Sequence, residues 1–254
     1  MTDHAKLSPS QSHRWLHCPG SANLPWVGRQ EDLKWANIGT ALHEVVSQVL
    51  RTGGKADRFI GQVVDTVGGP IVPTAEQIAL AQQNIDWVLA YKQRVQHGTM
   101  VLECRVDMGR QFALPEGPAP EYQSACFGTA DVVIVSEHEM LIADHKFGFV
   151  PVEVIANPQL LLYALGALDR WDRTPIRLAI LQPKQNSFCD YVVERADLLE
   201  WRDVHRAAVH AALAPDAPRI PSDAACRYCH DFNHCSVRIE WQRQAMLREF
   251  GVTP

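Results

Sequence analysis

Two regions of the chain place apolar side chains at the three- and four-residue spacing of a helix. Residues 39–51 show this pattern and end before a Gly-Gly pair, and residues 75–96 show it over a longer stretch. Thr74 is the predicted N-cap of the second helix, and Gly98 lies beyond its end. Between the two helices, a Gly- and Pro-rich stretch up to Pro73 predicts turns.

Apolar runs in the middle of the chain predict strands. Three strands are expected at Thr99–Asp107, 127–135 and 140–146, followed by a helix over 157–170 with Asn157 as its cap. Two further strands and an Ala-rich helix come next, at Ile176–Leu181, Phe188–Glu194 and 196–213. The order helix, three strands, helix, strand indicates an α/β fold.

Composition and charge narrow the class of protein. Of the 254 residues 46% are hydrophobic and 21% are charged, which suits a folded domain with a full core. Because no run reaches about 18 apolar residues and the N-terminus lacks an apolar segment, we expect neither a membrane span nor a signal peptide, and hence a cytoplasmic protein. The net charge of -5 argues against a protein that coats nucleic acid, but it fits a carboxylate-rich metal site.

Two isolated acids lie inside the apolar runs G-T-A-D-V-V-I-V and M-L-I-A-D-H-K. Strand alternation puts Asp144 and Lys146 on one face, and a neighbouring strand can bring Asp131 within coordination range of Asp144. Carboxylates with carbonyls and water suit Mg²⁺, and an added imidazole tolerates Mn²⁺. Each motif alone has a plainer interpretation, a surface ion pair or a tight turn, but a charge in a buried strand needs a partner. The pair therefore predicts a divalent cation that polarises a phosphodiester, with Lys146 orienting the attacking water.

A known family has this order of motifs. Gly39-x-x-x-His43-Glu44, Asp131, Asp144-His145-Lys146 and Gln159-x-x-x-Tyr163 follow one another in the sequence. From about residue 8 to residue 238 the chain resembles the RecB-like branch of the PD-(D/E)XK nucleases, including phage RecB-like proteins and CRISPR-associated RecB-like exonucleases. The resemblance implies a restriction-endonuclease-like core, a mixed β-sheet flanked by helices in αβββαβ order.

The same resemblance implies roles for individual residues. His43, Asp131, Asp144 and the backbone carbonyl of His145 would bind the metal, and Lys146 would be the catalytic lysine. Glu103 would be a supporting active-site acid, with a strand-edge charge as the alternative. Gln159 and Tyr163, four residues apart on one helix face, would point at the substrate backbone.

The cysteines form a second pattern. Cys226, Cys229 and Cys235 are spaced C-x2-C-x5-C, and Cys18 is the expected fourth ligand. In the resembling nucleases such a set holds a [4Fe-4S] cluster, and an all-cysteine set suits one. The alternatives are zinc, with His230 or His234 available, and unliganded thiols. The remaining cysteines are expected to be core thiols: Cys104, Cys126 and Cys189.

A cluster would join the two ends of the chain. We expect an N-terminal segment over residues 1–38, a nuclease core over 39–213 and a cysteine-rich segment over 214–254, which opens with a Pro-rich linker. Tryptophans near the N-terminus could stack on unpaired bases, with packing in the core as the alternative; they are Trp15, Trp26 and Trp35.

Three hypotheses follow for the function. The first is a Mg²⁺- or Mn²⁺-dependent deoxyribonuclease, an exonuclease acting on single-stranded DNA or duplex ends in phage recombination, repair or DNA processing. Since the chain has no helicase motif, a helicase or recombination partner would supply unwinding. The second is a nucleic-acid-binding accessory subunit that cuts little, and the third is a cluster-bearing redox or sensor protein. The intact acids and lysine favour the first.

Overall fold

The structure is a computed structural model that describes residues 5–24, 30–115, 124–227 and 229–251, with residues 30–33 described by their backbone alone. The chain divides into two compact units. The first, the sheet unit, comprises residues 28–106 and 129–198. The second, the cysteine unit, comprises residues 1–27, 107–128 and 199–254. Within the described residues, no helix is long and apolar enough to cross a membrane.

The described strands form one five-stranded mixed sheet in the order β1-β2-β3-β4-β5. Their bounds are Thr99–Asp107 (β1), Phe127–Val135 (β2), Met140–His145 (β3), Ile176–Gln182 (β4) and Ser187–Val193 (β5). Strand β3 runs antiparallel to β2 and parallel to β4, and β5 is antiparallel to β4. The expected α/β class with a mixed sheet is therefore confirmed.

The α-helices of the described chain are numbered in chain order. They are α1 (Ser12–Trp15), α2 (Gln30–Thr52), α3 (Ala75–Arg94), α4 (Gly109–Phe112), α5 (Pro158–Leu168), α6 (Arg195–Leu213), α7 (Asp223–Cys226) and α8 (Ser236–Glu249). Short 3-10 helices lie at Pro9–Gln11, Pro19–Asn23, Ala56–Phe59 and Pro183–Gln185. Helix α8 has no counterpart in the sequence-based prediction.

Local capping signals predicted the helix starts well. The Thr74 side chain accepts from the backbone N–H of Gln77, whose own side chain accepts from the Thr74 N–H, so a full capping box opens α3. Asn157 caps α5 in the expected way. Helix α2, in contrast, begins at Gln30 and not at residue 39. Its first turns are exposed where described, so they carry no apolar stripe that periodicity could detect.

The core of the sheet unit lies between the sheet and helices α2 and α3. Alternate strand residues such as Val132, Leu141 and Ala143 join apolar residues of both helices in one buried cluster. The residues between them, such as Ile142 and Ile180, are equally buried, and α5 packs against β3 and β4. Helices therefore flank the sheet, and both faces of β3 are covered.

The cysteine unit brings the N-terminal segment and the Pro-rich linker together. The backbone N–H of Gly20 donates to Pro218 O at 2.8 Å. A Cβ atom at Gly20 would lie 2.7 Å from Ala217 O, which is closer than side chains and backbone oxygens normally approach. Glycine is thus needed at this position because the two segments approach too closely for a side chain.

Three predictions about single residues have different outcomes. Trp15 is fully buried, as core packing predicts, whereas Trp35 is 55% exposed and Trp26 lies outside the described residues. Cys104 and Cys126 are buried thiols, as expected. Cys189 is exposed, so its assignment to the core was wrong; it lies on β5, which is an edge strand.

Candidate active site

The two acids of the sheet unit lie on neighbouring strands. In the register of β2 and β3, Val132 pairs with Ala143, and continuing it by one residue places Asp131 opposite Asp144. Residues directly opposite each other on one face of an antiparallel pair have Cβ atoms about 5 Å apart. Asp144 is buried, at 2% exposure, and the Asp131 side chain is 12% exposed. The sheet thus places two buried carboxylates side by side.

Lysine and glutamine side chains surround Asp144. Lys146 Nζ lies 2.6 Å from Asp144 Oδ2, and Gln159 Nε2 donates to Asp144 Oδ1 at 2.7 Å. Gln159 Oε1 accepts from Lys146 Nζ at 3.0 Å, and its Nε2 lies 3.3 Å from Tyr163 Oη. Helix α5 therefore places Gln159 against Asp144 of β3 and Tyr163 beside Gln159, in line with their spacing on one helix face. Substrate binding by these two residues stays a prediction.

Asp131 contacts two histidines, one through its backbone and one through its ring. Its Oδ2 accepts the backbone N–H of His145 at 2.7 Å and lies 3.3 Å from His43 Nδ1. The His43 ring packs edge-on against the rings of His145 and Phe147, at centroid distances of 5.7 and 5.5 Å. Helix α2 thus places His43 beside Asp131, and the contacts with His145 and Phe147 orient the His43 ring.

The ionisable side chains of this site change one another's pKa values. Burial and the charge of Asp131 raise the pKa of Asp144, although Lys146 opposes this. Burial would also raise the pKa of Asp131, but the charge and hydrogen bond of His43 hold that pKa well below its usual range. Burial works against a charged His43, yet the two acids raise its pKa overall. Ionisable groups that shift one another strongly in a buried cluster are typical of functional sites.

Glu103 is a partly exposed acid of β1 whose charge interacts with the same cluster. Partial burial, followed by the charge of Asp131, raises its pKa to about 7. Its backbone has φ of 50°, a left-handed conformation that a non-glycine residue in a strand rarely adopts. Backbone strain of this kind is found preferentially at functional sites.

Asn84 belongs to this site but was missed by the motif search. It is fully buried on α3, and its Nδ2 donates to Leu181 O at 3.3 Å and to His145 Nδ1 at 3.2 Å. Because an amide nitrogen only donates, Nδ1 of His145 accepts and the ring proton lies on Nε2. The available signal was a polar residue on an apolar helix face, between Ala81 and Val88.

The donor set fits a divalent cation in its chemistry. Two carboxylates and an imidazole, with Glu103 nearby, match the oxygen-rich ligands of Mg²⁺ and Mn²⁺. The charge of Asp131 raises the proton affinity of Glu103 and of Asp144, so a cation near these acids would relieve the repulsion. As the described side chains stand, however, no three His, Cys, Asp or Glu form a group that could hold a metal ion. Both oxygens of Asp144 have partners within 2.7 Å, so a cation must compete with Lys146 and Gln159.

The cysteines of the motif lie in the other unit and line one cavity there. They are Cys18, Cys226, Cys229 and Cys235. Neither His230 nor His234 is among the described lining residues. The backbone N–H of Ile220 donates to Cys18 Sγ at 3.2 Å, and Arg219 Nη1 donates to Cys235 Sγ at 3.7 Å. The linker therefore supplies donors to two of the four sulfurs.

The buried guanidinium of Arg14 lies near two of these cysteines. Arg14 is 3% exposed, and its Nε has no hydrogen-bond partner among the described residues. Burial lowers the pKa of Arg14, and the nearby Cys229 and Cys18 partly offset this effect. A buried guanidinium is tolerated where a negative charge faces it, so Arg14 is compatible with anionic sulfurs. As the described cysteines stand, however, no three of them form a group that could hold a metal ion.

Fold and site together define a mixed α/β protein with a buried carboxylate, lysine and histidine site. The chain belongs to the family described as "Protein of unknown function (DUF2800)", whose model matches residues 4–254. The chain is also similar to a solved structure titled "Crystal structure of SSO0001", with a TM-score of 0.37 and 12% sequence identity over 94% of this chain and 89% of that one. Neither name states an activity.

Proposed function

We propose that the protein is a Mg²⁺- or Mn²⁺-dependent DNA nuclease of the RecB-like PD-(D/E)XK type. The observation that carries the proposal is the position of Asp131 opposite Asp144 on adjacent strands, with His43 on the first acid and Lys146 on the second. A mixed sheet flanked by helices, with both acids at its centre, is compatible with a restriction-endonuclease-like core.

Each side chain has a defined task in this proposal. Asp131, Asp144, His43 and the His145 carbonyl would hold the cation, with Glu103 as a supporting acid. When bound, a divalent cation polarises the scissile phosphate and lowers the pKa of a water molecule. The Lys146 ammonium, kept charged because Asp144 raises its pKa against the effect of burial, offsets the negative charge that develops on the phosphate.

Gln159 has a positioning task. Its amide accepts from Lys146 and donates to Asp144, so it fixes the distance between the ammonium group and the acid. If Asp144 bound a cation, Lys146 would still have Gln159 Oε1 as a hydrogen-bond partner. Gln159 would thereby keep the Lys146 ammonium close to Asp144.

For the cysteine unit we propose a structural [4Fe-4S] cluster, with zinc as the alternative. Four cysteines on one cavity, two donors to sulfur and the buried Arg14 support a group held by anionic sulfurs. Single-stranded DNA or duplex ends are the proposed substrates, and a helicase or recombination protein is the proposed partner. Substrate and partner rest on the resemblance to RecB-like nucleases.

A cleavage assay tests the catalytic proposal. Protein purified without oxygen is incubated with end-labelled single- and double-stranded DNA and either Mg²⁺ or Mn²⁺. We expect metal-dependent degradation that is lost in Asp144→Ala and retained in Asp86→Ala, a change of an acid on α3. Metal-independent cleavage, or equal cleavage by Asp144→Ala, would contradict the proposal. Binding without cleavage would favour the accessory subunit.

A further inference from the structure

Two aromatic side chains of the sheet unit lie exposed beside a lysine. Trp35 is 55% exposed and Phe149 is 64% exposed, and their rings meet edge-on with centroids 6.2 Å apart. Lys184 Nζ lies 4.2 Å from the centre of the Phe149 ring and 5.4 Å from that of Trp35. We call these three residues the aromatic platform. Large exposed rings cost hydration free energy, so a fixed pair of them requires an explanation.

The loop that carries Phe149 is held in place from inside. Gln182, at the end of β4 and 1% exposed, donates to Gly148 O at 3.0 Å and to Val150 O at 2.7 Å. Its Oε1 accepts the backbone N–H of Val152 at 3.0 Å. Every polar atom of a buried glutamine is thus used to fix this loop. These hydrogen bonds fix the loop backbone in the conformation that leaves the Phe149 ring exposed.

The aromatic platform lies close to the candidate active site along the chain. Phe149 follows Lys146 by three residues, a span of at most about 11 Å. Trp35 precedes His43 by eight residues on the same helix, which corresponds to about 12 Å along its axis. A strand of DNA advances by about 3.4 Å per stacked nucleotide, so roughly three nucleotides cover this distance.

The positive charge of Lys184 indicates what kind of ligand the aromatic platform would bind. Burial against its surroundings lowers the pKa of Lys184, and no carboxylate within the described part of the chain offsets this. A lysine beside two exposed rings matches a ligand that has flat faces and regularly spaced anions. Single-stranded nucleic acid has both, because its unpaired bases stack on aromatic rings while its phosphates attract lysine.

We propose that the aromatic platform binds unpaired bases of the DNA substrate a few nucleotides away from the scissile bond. Trp35 and Phe149 stack with the bases, and Lys184 contacts the intervening phosphate. The identity of this strand as substrate rests on the proposed function. Duplex DNA, whose bases are already stacked, gains nothing from the rings and is held by its phosphates alone.

Fluorescence anisotropy tests the proposal without any cleavage. A labelled oligothymidylate is titrated with protein in EDTA, beside the same oligonucleotide with a central run of abasic sites and a blunt duplex. Stacking on an aromatic side chain predicts that Phe149→Leu weakens oligothymidylate binding by about tenfold. Binding of the abasic strand, which keeps its phosphates, is expected to stay unchanged in this variant.

Matched variants separate stacking from general effects. Phe250→Leu makes the same change at a ring of the cysteine unit that is 74% exposed, and this variant is expected to bind like the wild type. Trp35→Phe is expected to bind better than Trp35→Leu because it keeps a ring. Lys184→Gln is expected to lower the slope of log affinity against log salt by about one. Thermal melting checks that each variant is folded.

The outcomes distinguish this proposal from the nuclease proposal. Equal binding by Phe149→Leu, Trp35→Leu and the wild type would overturn the platform. An equal loss of affinity for abasic or duplex DNA would also overturn it, since neither offers bases to stack. Neither result would contradict the nuclease proposal, because cleavage that depends on Asp144 could still be observed. Conversely, ring-dependent binding without any metal-dependent cleavage would support the platform and defeat the nuclease.

Discussion

Asp144 is the residue on which most contacts of the candidate site converge. Its two carboxylate oxygens are shared between Lys146 and Gln159, and it lies opposite a second acid. A buried carboxylate in this position is stabilised by Lys146 but destabilised by Asp131. A neighbouring cation therefore favours the charged form of Asp144, and in this structure that cation is Lys146.

The competition between Lys146 and a metal ion leads to a prediction. Lys146→Met removes the ammonium that offsets charge on the phosphate, so we expect cleavage to fall by at least about 100-fold. Because the variant also frees Asp144 Oδ2, Mn²⁺ should bind as tightly as to the wild type or more tightly. Cleavage rates and isothermal titration with Mn²⁺ measure the two effects. Lys92→Met, on the exposed part of α3, is the control. Unchanged turnover in Lys146→Met would defeat the assigned role.

The proton affinity of the site predicts how metal binding depends on pH. The pKa of Glu103 is raised to about 7, so this acid exchanges a proton near neutral pH, and the pKa of His43 is also raised by the two acids. A cation must displace these protons, and we expect Mn²⁺ affinity to increase from about pH 6 to about pH 8 with proton release. Titrations in two buffers of different ionisation enthalpy measure the protons released.

The variant Glu103→Gln provides the control for that titration. It removes one of the two groups that lose a proton, so the number of protons released should fall while some Mn²⁺ binding remains. Proton release identical to that of the wild type would show that Glu103 lies outside the metal site. The left-handed backbone conformation of Glu103 would then have a cause other than metal binding.

At the scale of elements, Asn84 ties helix α3 to two strands. It contacts Leu181 O on β4 and the ring of His145 on β3, the residue that follows Asp144 and donates its backbone N–H to Asp131. Asn84→Leu keeps the branched shape but leaves His145 Nδ1 without its donor, while Leu181 O keeps the backbone N–H of Lys146. Loss of the buried donor costs about 1–3 kcal/mol of unfolding free energy. Urea unfolding measures this loss.

A positioning role for Asn84 has a second consequence. Loss of the donor releases the His145 ring, whose backbone N–H fixes Asp131, so we expect kcat to fall more than KM rises. Asn84→Asp places an acceptor and a charge at the same position and should not restore the rate. Asn84→His keeps a donor and should restore part of it. A change of stability alone, with kcat intact, would make Asn84 merely structural.

Elements also show why sequence patterns succeed or fail. The start of α3 was predictable because a capping box is a local arrangement of four residues. The start of α2 was not, because its first turns are exposed where described and periodicity reports only buried faces. Cys189 was misassigned for a related reason: strand propensity does not tell an edge strand from a central one.

At the scale of the whole molecule, the two proposed metal centres belong to different compact units. The acid pair lies in the sheet unit, which has its own apolar core, and the four-cysteine cavity lies in the cysteine unit. The second unit is assembled from three separate stretches of sequence. Ligands drawn from distant stretches stabilise such an assembly by closing long loops.

This arrangement predicts the effect of losing one cysteine. Cys229→Ser should lower the iron and sulfide content, bleach the visible absorbance and lower the melting temperature of the protein, because the cluster stabilises the unit that binds it. Cys189→Ser, at an exposed cysteine of the sheet unit, is the matched control and should change none of these. Zinc in place of iron in anaerobically purified wild-type protein would establish the alternative metal. Absence of both metals would reject the centre.

The order of the helices and strands from α2 to α6 and the caps of α3 and α5 were predictable from the sequence, because each depends on residues close together in the chain. Alternation along β3 by itself placed Asp144 and Lys146 on one face. Only the tertiary structure decided which distant residues meet: Asn84 with His145, Gln182 with the loop after β3, and Trp35 with Phe149. These contacts depend on how helices and strands pack against one another, and no local pattern encodes that packing.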